Sequence, residues 1–118
     1  MIAVIQRVSS ASVNVDGKLI SQINKGLAIL LGVAEGDNCE DVKLLVNKIV
    51  NLRIFSDENG KMNYSVKDID GEIIIVPNFT LIAAYKKGNR PSYAGCAKPL
   101  EASDLFDYFC DYTKEHVT

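Results

Sequence analysis

Apolar and polar residues alternate over 2–8 and again over 11–15, and the dipeptide Asp16-Gly17 follows. Alternation with period two predicts half-buried strands, and Asp-Gly is a strong hairpin signal because both central positions of the tightest turn need positive φ. Lys18 to Ile23 is then the returning strand, and Asn24-Lys25-Gly26 turns the chain once more. From Leu27 to Val33 the run is continuously apolar, as in a central strand covered on both faces. At Asp37 the period changes. Val42, Leu45, Val46, Ile49 and Val50 recur at helical spacing, and Asp37 with Glu40 makes a capping box at the start of that helix. Leu52 to Phe55 reads as a strand, ended by the turn-rich Ser56-Asp57-Glu58-Asn59-Gly60. Residues 61–70 are weakly patterned, with one helical turn around Val66 to Ile69.

The stretch from Gly71 to Tyr93, GEIIIVPNFTLIAAYKKGNRPSY, breaks this regularity. Its saturated run, Ile73 to Val76, predicts a buried strand whose backbone N–H groups its neighbours need. Proline cannot donate one, so Pro77 marks an edge, a bulge or the point where pairing stops. Glu72 to Phe79, extended by Leu81 to Ala84, is therefore a broken strand. Tyr85 to Pro99 reads as a loop of about fifteen residues, a length that favours a functional role. Ala102 to His116 is a second helix, with Leu105, Phe106, Phe109 and Tyr112 on one face. Hairpin-linked early strands without a glycine-rich phosphate loop exclude a doubly wound nucleotide fold. The pattern predicts one α+β domain over 1–118: layered, antiparallel-rich, barrel-like β-sheets with two helices packed outside.

Composition narrows the function. At 47% hydrophobic and 24% charged, the 118 residues are those of an ordinary folded protein. A net charge of −2 argues against coating nucleic acid by counterion release, but leaves room for a few local cations gripping one end of an RNA. Cys39, Cys96 and Cys110 are an odd set with no C-x-x-C pair, which reads as reduced thiols in a cytosolic protein. MIAVIQRV is too short for a signal sequence, and no apolar run approaches a membrane span. The single histidine, His116, makes Ser-His-Asp or Cys-His catalysis improbable, and no His and Cys side chains stand at zinc spacing.

Three segments carry a family likeness: MIAVIQRVSSASVNVDGKLISQINKGLAILLGVAEGD, NLRIFSDENGKMN and the FTL…KKGNRPSY stretch. In order and spacing the chain resembles the D-aminoacyl-tRNA deacylases. The resemblance implies a homodimer that hydrolyses the ester between a D-amino acid, or glycine, and the 3′ end of tRNA, with no metal and no cofactor. An aminoacyl ester is activated, so a placed water and an oxyanion site suffice. Two departures fall on functional positions. The family's Ser-Gln-Phe-Thr is Pro77-Asn78-Phe79-Thr80 here, and no proline among Pro77, Pro91 and Pro99 follows a glycine. The resemblance assigns D/L selection to a C-terminal Gly-Pro pair, so poor discrimination between enantiomers is expected of the 118 residues. The alternative is a weakened or inactive member that binds nucleic acid or protein.

Each candidate residue has a plain reading beside the functional one. Thr80 as nucleophile would need a base that the sequence does not supply. Without a base, the backbone N–H of Thr80 or that of Phe79, facing the scissile carbonyl, is favoured over the hydroxyl, while Thr80 alone is an ordinary strand residue. Asn78 keeps an amide donor and acceptor for substrate, whereas Pro77 lacks both the hydroxyl and the N–H of serine. Together they also read as a strand terminus. Arg7 is an edge guard by its strand context, and by resemblance it orients the Gly-Pro element. Lys86, Lys87 and Arg90 form a solvated loop or meet tRNA phosphates. Phe79 and Tyr93 stack on the terminal adenine or belong to the core.

Overall fold

The computed structural model describes residues 1–78 and 99–116. Along the chain it forms β1 (Ile2–Val8), β2 (Ala11–Val15), β3 (Lys18–Ile23), β4 (Gly26–Gly32), α1 (Cys39–Val50), β5 (Phe55–Ser56), β6 (Met62–Tyr64), β7 (Glu72–Pro77) and α2 (Pro99–His116). The strands make a three-stranded sheet in the order β1-β4-β7 and two hairpins, β2-β3 and β5-β6. The α+β class and the two helices are as the sequence predicts. The antiparallel-rich pairing is too, in β1-β4, β2-β3 and β5-β6, but no closed barrel forms: among the described residues the sheets stay separate, and β7 runs parallel to β4. The connection explains it. Between β4 and β7 the chain makes α1 and the β5-β6 hairpin, a crossover long enough to return it to the starting end of the sheet.

Each strand signal maps to a local cause. Asp16 and Gly17 take φ of 51° and 77°, the left-handed pair that closes the β2-β3 hairpin. β4 is paired on both edges, but its two faces differ from the expected double cover. Leu27, Ile29 and Leu31 are each 1% exposed, whereas Leu30 on the other face is 38% exposed. The buried row meets Val42, Val46, Ile49 and Val50 of α1, Phe109 of α2, and Phe55 and Val66.

Three local expectations shift. The N-cap of α1 is Asn38, not Asp37: its Oδ1 accepts from Glu40 N and Asp41 N, while Asp41 Oδ2 accepts from Asn38 N at 2.9 Å. Asp37 is already engaged, because its Oδ2 accepts from Ala34 N at 2.7 Å and from the Met1 α-ammonium at 2.8 Å. The strand foreseen at Leu52 to Phe55 shrinks to Phe55–Ser56, since Leu52 N still donates to Ile49 O at the end of α1. Its partner β6 lies in the weakly patterned segment, where three residues are too few to show alternation. The single turn foreseen around Val66 to Ile69 is present and closes on Asp70 at φ 54°, with Gly71 N donating to Val66 O and Asp70 N to Lys67 O.

The parallel pairing begins at one tight point. A Cβ on Gly26 would lie 1.7 Å from the carbonyl oxygen of Glu72, so the strands meet here only if one residue has no side chain. Gly26→Ala should therefore destabilise by about 3 kcal/mol or more, at the upper end of overpacking costs. Thermal unfolding checks this, with a midpoint drop of about 10 °C or more expected. An unchanged midpoint would show that β4 and β7 separate without cost.

Candidate functional site

Hydrogen bonds at the two ends of β7 define how it presents its groups. Glu72 N donates to Lys25 O at 3.1 Å, and Asn78 N donates to Leu31 O at 2.8 Å. Backbone groups alternate along a strand, so residues 72, 74, 76 and 78 turn toward β4 while Ile73, Ile75 and Pro77 turn outward. Pro77 therefore occupies a position whose N–H would not have served β4. It ends the strand without breaking a ladder bond, which is the edge placement open to proline. The half-buried Asn78 follows, carried past the strand end by its bond to Leu31.

Along the outward edge of β7 runs a groove of about 510 Å³, with β3 on one side and α2 on the other. Ile73, Ile75 and Pro77 line it from β7, and Phe106, Cys110 and Lys114 from α2. Residues 106, 110 and 114 recur at intervals of four, the helical stripe beside the apolar face read from the sequence. That spacing was the available signal for the α2 wall. Burial, then the nearby Asp107 carboxylate, pushes the Cys110 thiol up against the opposing pull of Lys114, so it is not an activated nucleophile. Cys39 is exposed. Among the described residues no three His, Cys, Asp or Glu side chains gather to hold a metal ion.

Only part of the candidate set is brought together. Pro77 and Asn78 are adjacent at the carboxyl end of β7. Arg7 pairs with Leu27, while Pro77 pairs with Leu31, which offsets them by about 13 Å along the strand direction, on strands two apart in the sheet of one chain. Arg7 continues the core-facing row of Ala3 and Ile5, and its Nη1 donates to Ile54 O at 2.8 Å, tying β1 to the approach of β5. Phe79, Thr80, Lys86, Lys87, Arg90 and Tyr93 lie outside the described residues.

Residues 4–118 match the family described as D-Tyr-tRNA(Tyr) deacylase. A D-aminoacyl-tRNA deacylase of Sulfurihydrogenibium sp. (strain YO3AOP1) is 55% identical over 117 residues, 99% of this chain and 80% of that protein. Its counterpart from Aquifex aeolicus (strain VF5) is 55% identical over 115 residues, 98% of this chain and 78% of that protein. Among solved structures, the c-Myc DNA Unwinding Element Binding Protein superposes with a TM-score of 0.91 at 38% identity, covering 98% of this chain and 77% of its own. A probable eukaryotic D-amino acid tRNA deacylase shares the fold at 18% identity, with a TM-score of 0.74 over 95% of this chain and 66% of its own.

The alternation along β7 sets a contrast between neighbours. Pro77→Ala should change stability by less than about 1 kcal/mol, since no ladder bond is gained or lost. Val76→Pro, one residue earlier, removes an N–H turned toward β4 and should cost about 3 kcal/mol. Urea unfolding of the two variants measures both; equal effects would mean that the register is wrong.

Proposed function

The chain belongs to the D-Tyr-tRNA(Tyr) deacylase family, and from that premise we propose that it hydrolyses the ester of D-aminoacyl-tRNA to free D-amino acid and tRNA. The match to family members across nearly the whole chain carries this conclusion. The reaction clears mischarged tRNA, glycyl-tRNA included, as quality control in translation, and the cytoplasm is where charged tRNA is used.

The site lies at the carboxyl end of β7. Asn78 and Pro77 form its described rim. Backbone N–H groups of Phe79 and Thr80, the next residues, stabilise the oxyanion as water adds to the ester carbonyl and gives up a proton to solvent; the carbonyl then re-forms as the ribose oxygen of the tRNA leaves and takes up a proton from solvent. Fixed backbone donors suit an activated ester, because they need no reorganisation as charge develops. Lys86, Lys87 and Arg90 neutralise phosphates near the tRNA 3′ end, and Tyr93 offers a stacking surface to the terminal adenine. No metal or cofactor is assigned a role. The second reading is nucleic-acid binding without hydrolysis, which the likeness to the DNA unwinding element binding protein favours.

A deacylation assay on D- and L-tyrosyl-tRNA separates the two readings, and the ratio of its rates reads enantiomer selection. Thr80→Val should keep most of the activity, because backbone donors survive the substitution. A hundredfold loss with the fold intact, about 2.7 kcal/mol of transition-state stabilisation, would instead require the hydroxyl. No hydrolysis of either substrate would favour binding alone.

The proposed assembly is a homodimer. Its support within the chain is the sheet face opposite the core, where Ile2, Val4 and Leu30 are 44%, 47% and 38% exposed and Val4 stands opposite Leu30. An apolar sheet face of this kind favours a covering partner, and a second copy supplies one by twofold symmetry. Sedimentation at micromolar concentration should give twice the chain mass. A monomer would remove the dimer from the proposal.

A further inference from the structure

The turn between β5 and β6 is built around one carboxylate. Asp57 Oδ1 accepts from Asn59 N at 2.8 Å and from Lys61 N at 3.0 Å. The backbone of the same residue closes the loop: Asp57 N donates to Lys61 O at 2.8 Å, and Gly60 N donates to Asp57 O at 3.1 Å. Gly60 takes φ of 76°, the left-handed step that ends a hairpin loop of this kind and that glycine occupies without strain. Asparagine is favoured beside it, because its side chain tolerates turn geometry. The demands of the turn thus place Asn59 directly before Gly60, and no other asparagine of the chain precedes a glycine.

Such a pair carries its own chemistry. Once the proton of Gly60 N has passed to water, that nitrogen can attack Asn59 Cγ. The new N–C bond closes a cyclic imide, and Nδ2 takes a proton from solvent and leaves as ammonia. Water then opens the imide, at Cγ to give aspartate or at the main-chain carbonyl to give isoaspartate, so that water is consumed and ammonia released. Glycine favours the step because no Cβ crowds the attacking nitrogen, and asparagine counts among the thermolabile residues. Asn59 is exposed, and among the described residues its carboxamide makes no hydrogen bond. Asn38, Asn51 and Asn63 differ: they cap α1, donate to Asn47 O and accept from Arg53.

We propose that Asn59 is a site of deamidation in the folded chain, and that the turn organised by Asp57 sets its rate. The inference is independent of the deacylase reading. While Gly60 N donates to Asp57 O it keeps its proton and points away from Cγ, so attack waits for the turn to open. The Asp57 carboxylate holds the turn shut through Asn59 N and Lys61 N. Either product sets a new carboxylate beside Asp57 and Glu58, and the isoaspartyl form adds a backbone atom to the loop. Register in a hairpin is fixed by loop length. The added atom therefore unseats the pairing of Phe55 with Tyr64, and Phe55 is a core residue only 4% exposed. Modification at the surface thus loosens the interior.

The test incubates the full chain at constant temperature near neutral pH and follows it by peptide mass mapping and by enzymatic methylation of isoaspartate. Asn59 should convert before any other asparagine, and about tenfold or more slowly than in the chain unfolded by urea. Asp57→Ala should raise the folded rate about tenfold, through the loss of the bonds to Asn59 N and Lys61 N. Asp57→Asn, whose amide oxygen still accepts, should stay nearer the wild-type rate. Val46→Ala, a core truncation on α1 away from the turn, is the control for general loosening and should change the rate by less than about twofold. Asn59→Ser should abolish both the product and the fall in thermal midpoint that accompanies it. Where Asp57→Ala does not fold, the folded and unfolded wild type compared with Asn59→Ser decide. Earlier conversion at another asparagine of the folded chain, or no product at Asn59 in wild type and Asp57 variants alike, would overturn the site. A folded rate equal to the unfolded rate, or equal acceleration by Val46→Ala and Asp57→Ala, would overturn the control by the turn.

Discussion

The parallel pairing of β4 with β7 is the contact on which the rest of the architecture depends. It starts where Gly26 admits the Glu72 carbonyl and ends where Asn78 N reaches Leu31 O. Between those points it sets which β7 residues face the sheet and which face outward. The same register aligns Ile73 and Ile75 with Leu27 and Ile29, so the β7 side chains extend the buried row that receives α1 and α2. A shift by one residue would turn that row to the other face and Pro77 into the ladder. Stability and the position of the candidate site thus share one cause.

The polar groups divide into those that hold the scaffold and those that remain free to act. Asp37 joins the Met1 ammonium, the turn at Ala34 and the entry to α1 through one carboxylate. Asp57 accepts from Asn59 N and Lys61 N and so shapes the β5-β6 hairpin, while Arg53 ties to Asn63 across it. Ser65 N donates to the Asp68 carboxylate and holds it below the usual carboxylate range. Arg7 stands between these classes: one N–H braces Ile54, and by resemblance the residue belongs to the deacylase site. A scaffold bond of this sort costs the site little and aims the charge, which is how an exposed arginine becomes a directed one.

Much of the local structure was legible because it rests on short-range physics. The Asp16-Gly17 turn, the strands on either side and the apolar stripes of both helices follow from residue type and spacing. The capping box slipped by one residue because Asp37 and Asn38 are both good caps, and only the position of the Met1 ammonium decides which is free. β6 went unseen because a three-residue strand is made by its partner, not by its own pattern. Within the candidate site, Pro77 and Asn78 were legible as a broken strand end. The α2 wall of the groove was legible only as a helical stripe, not as a neighbour of β7, since Cys110 and Lys114 lie about thirty-five residues away in sequence and meet β7 only through helix packing.

By itself the sequence determined the class of each segment, the α+β composition and, through three matched segments, the family. These follow from local propensity and from the order of motifs, neither of which requires knowing what touches what. Tertiary structure alone decided that β7 joins β4 in parallel, that the described sheets stay separate, and that Pro77 faces away from the ladder. The physical reason is that strand direction and pairing are set by non-local hydrogen bonds and packing. An apolar run such as Ile73 to Val76 satisfies a parallel and an antiparallel neighbour equally well. The crossover through α1, and the one position where a glycine lets two backbones approach, select between them.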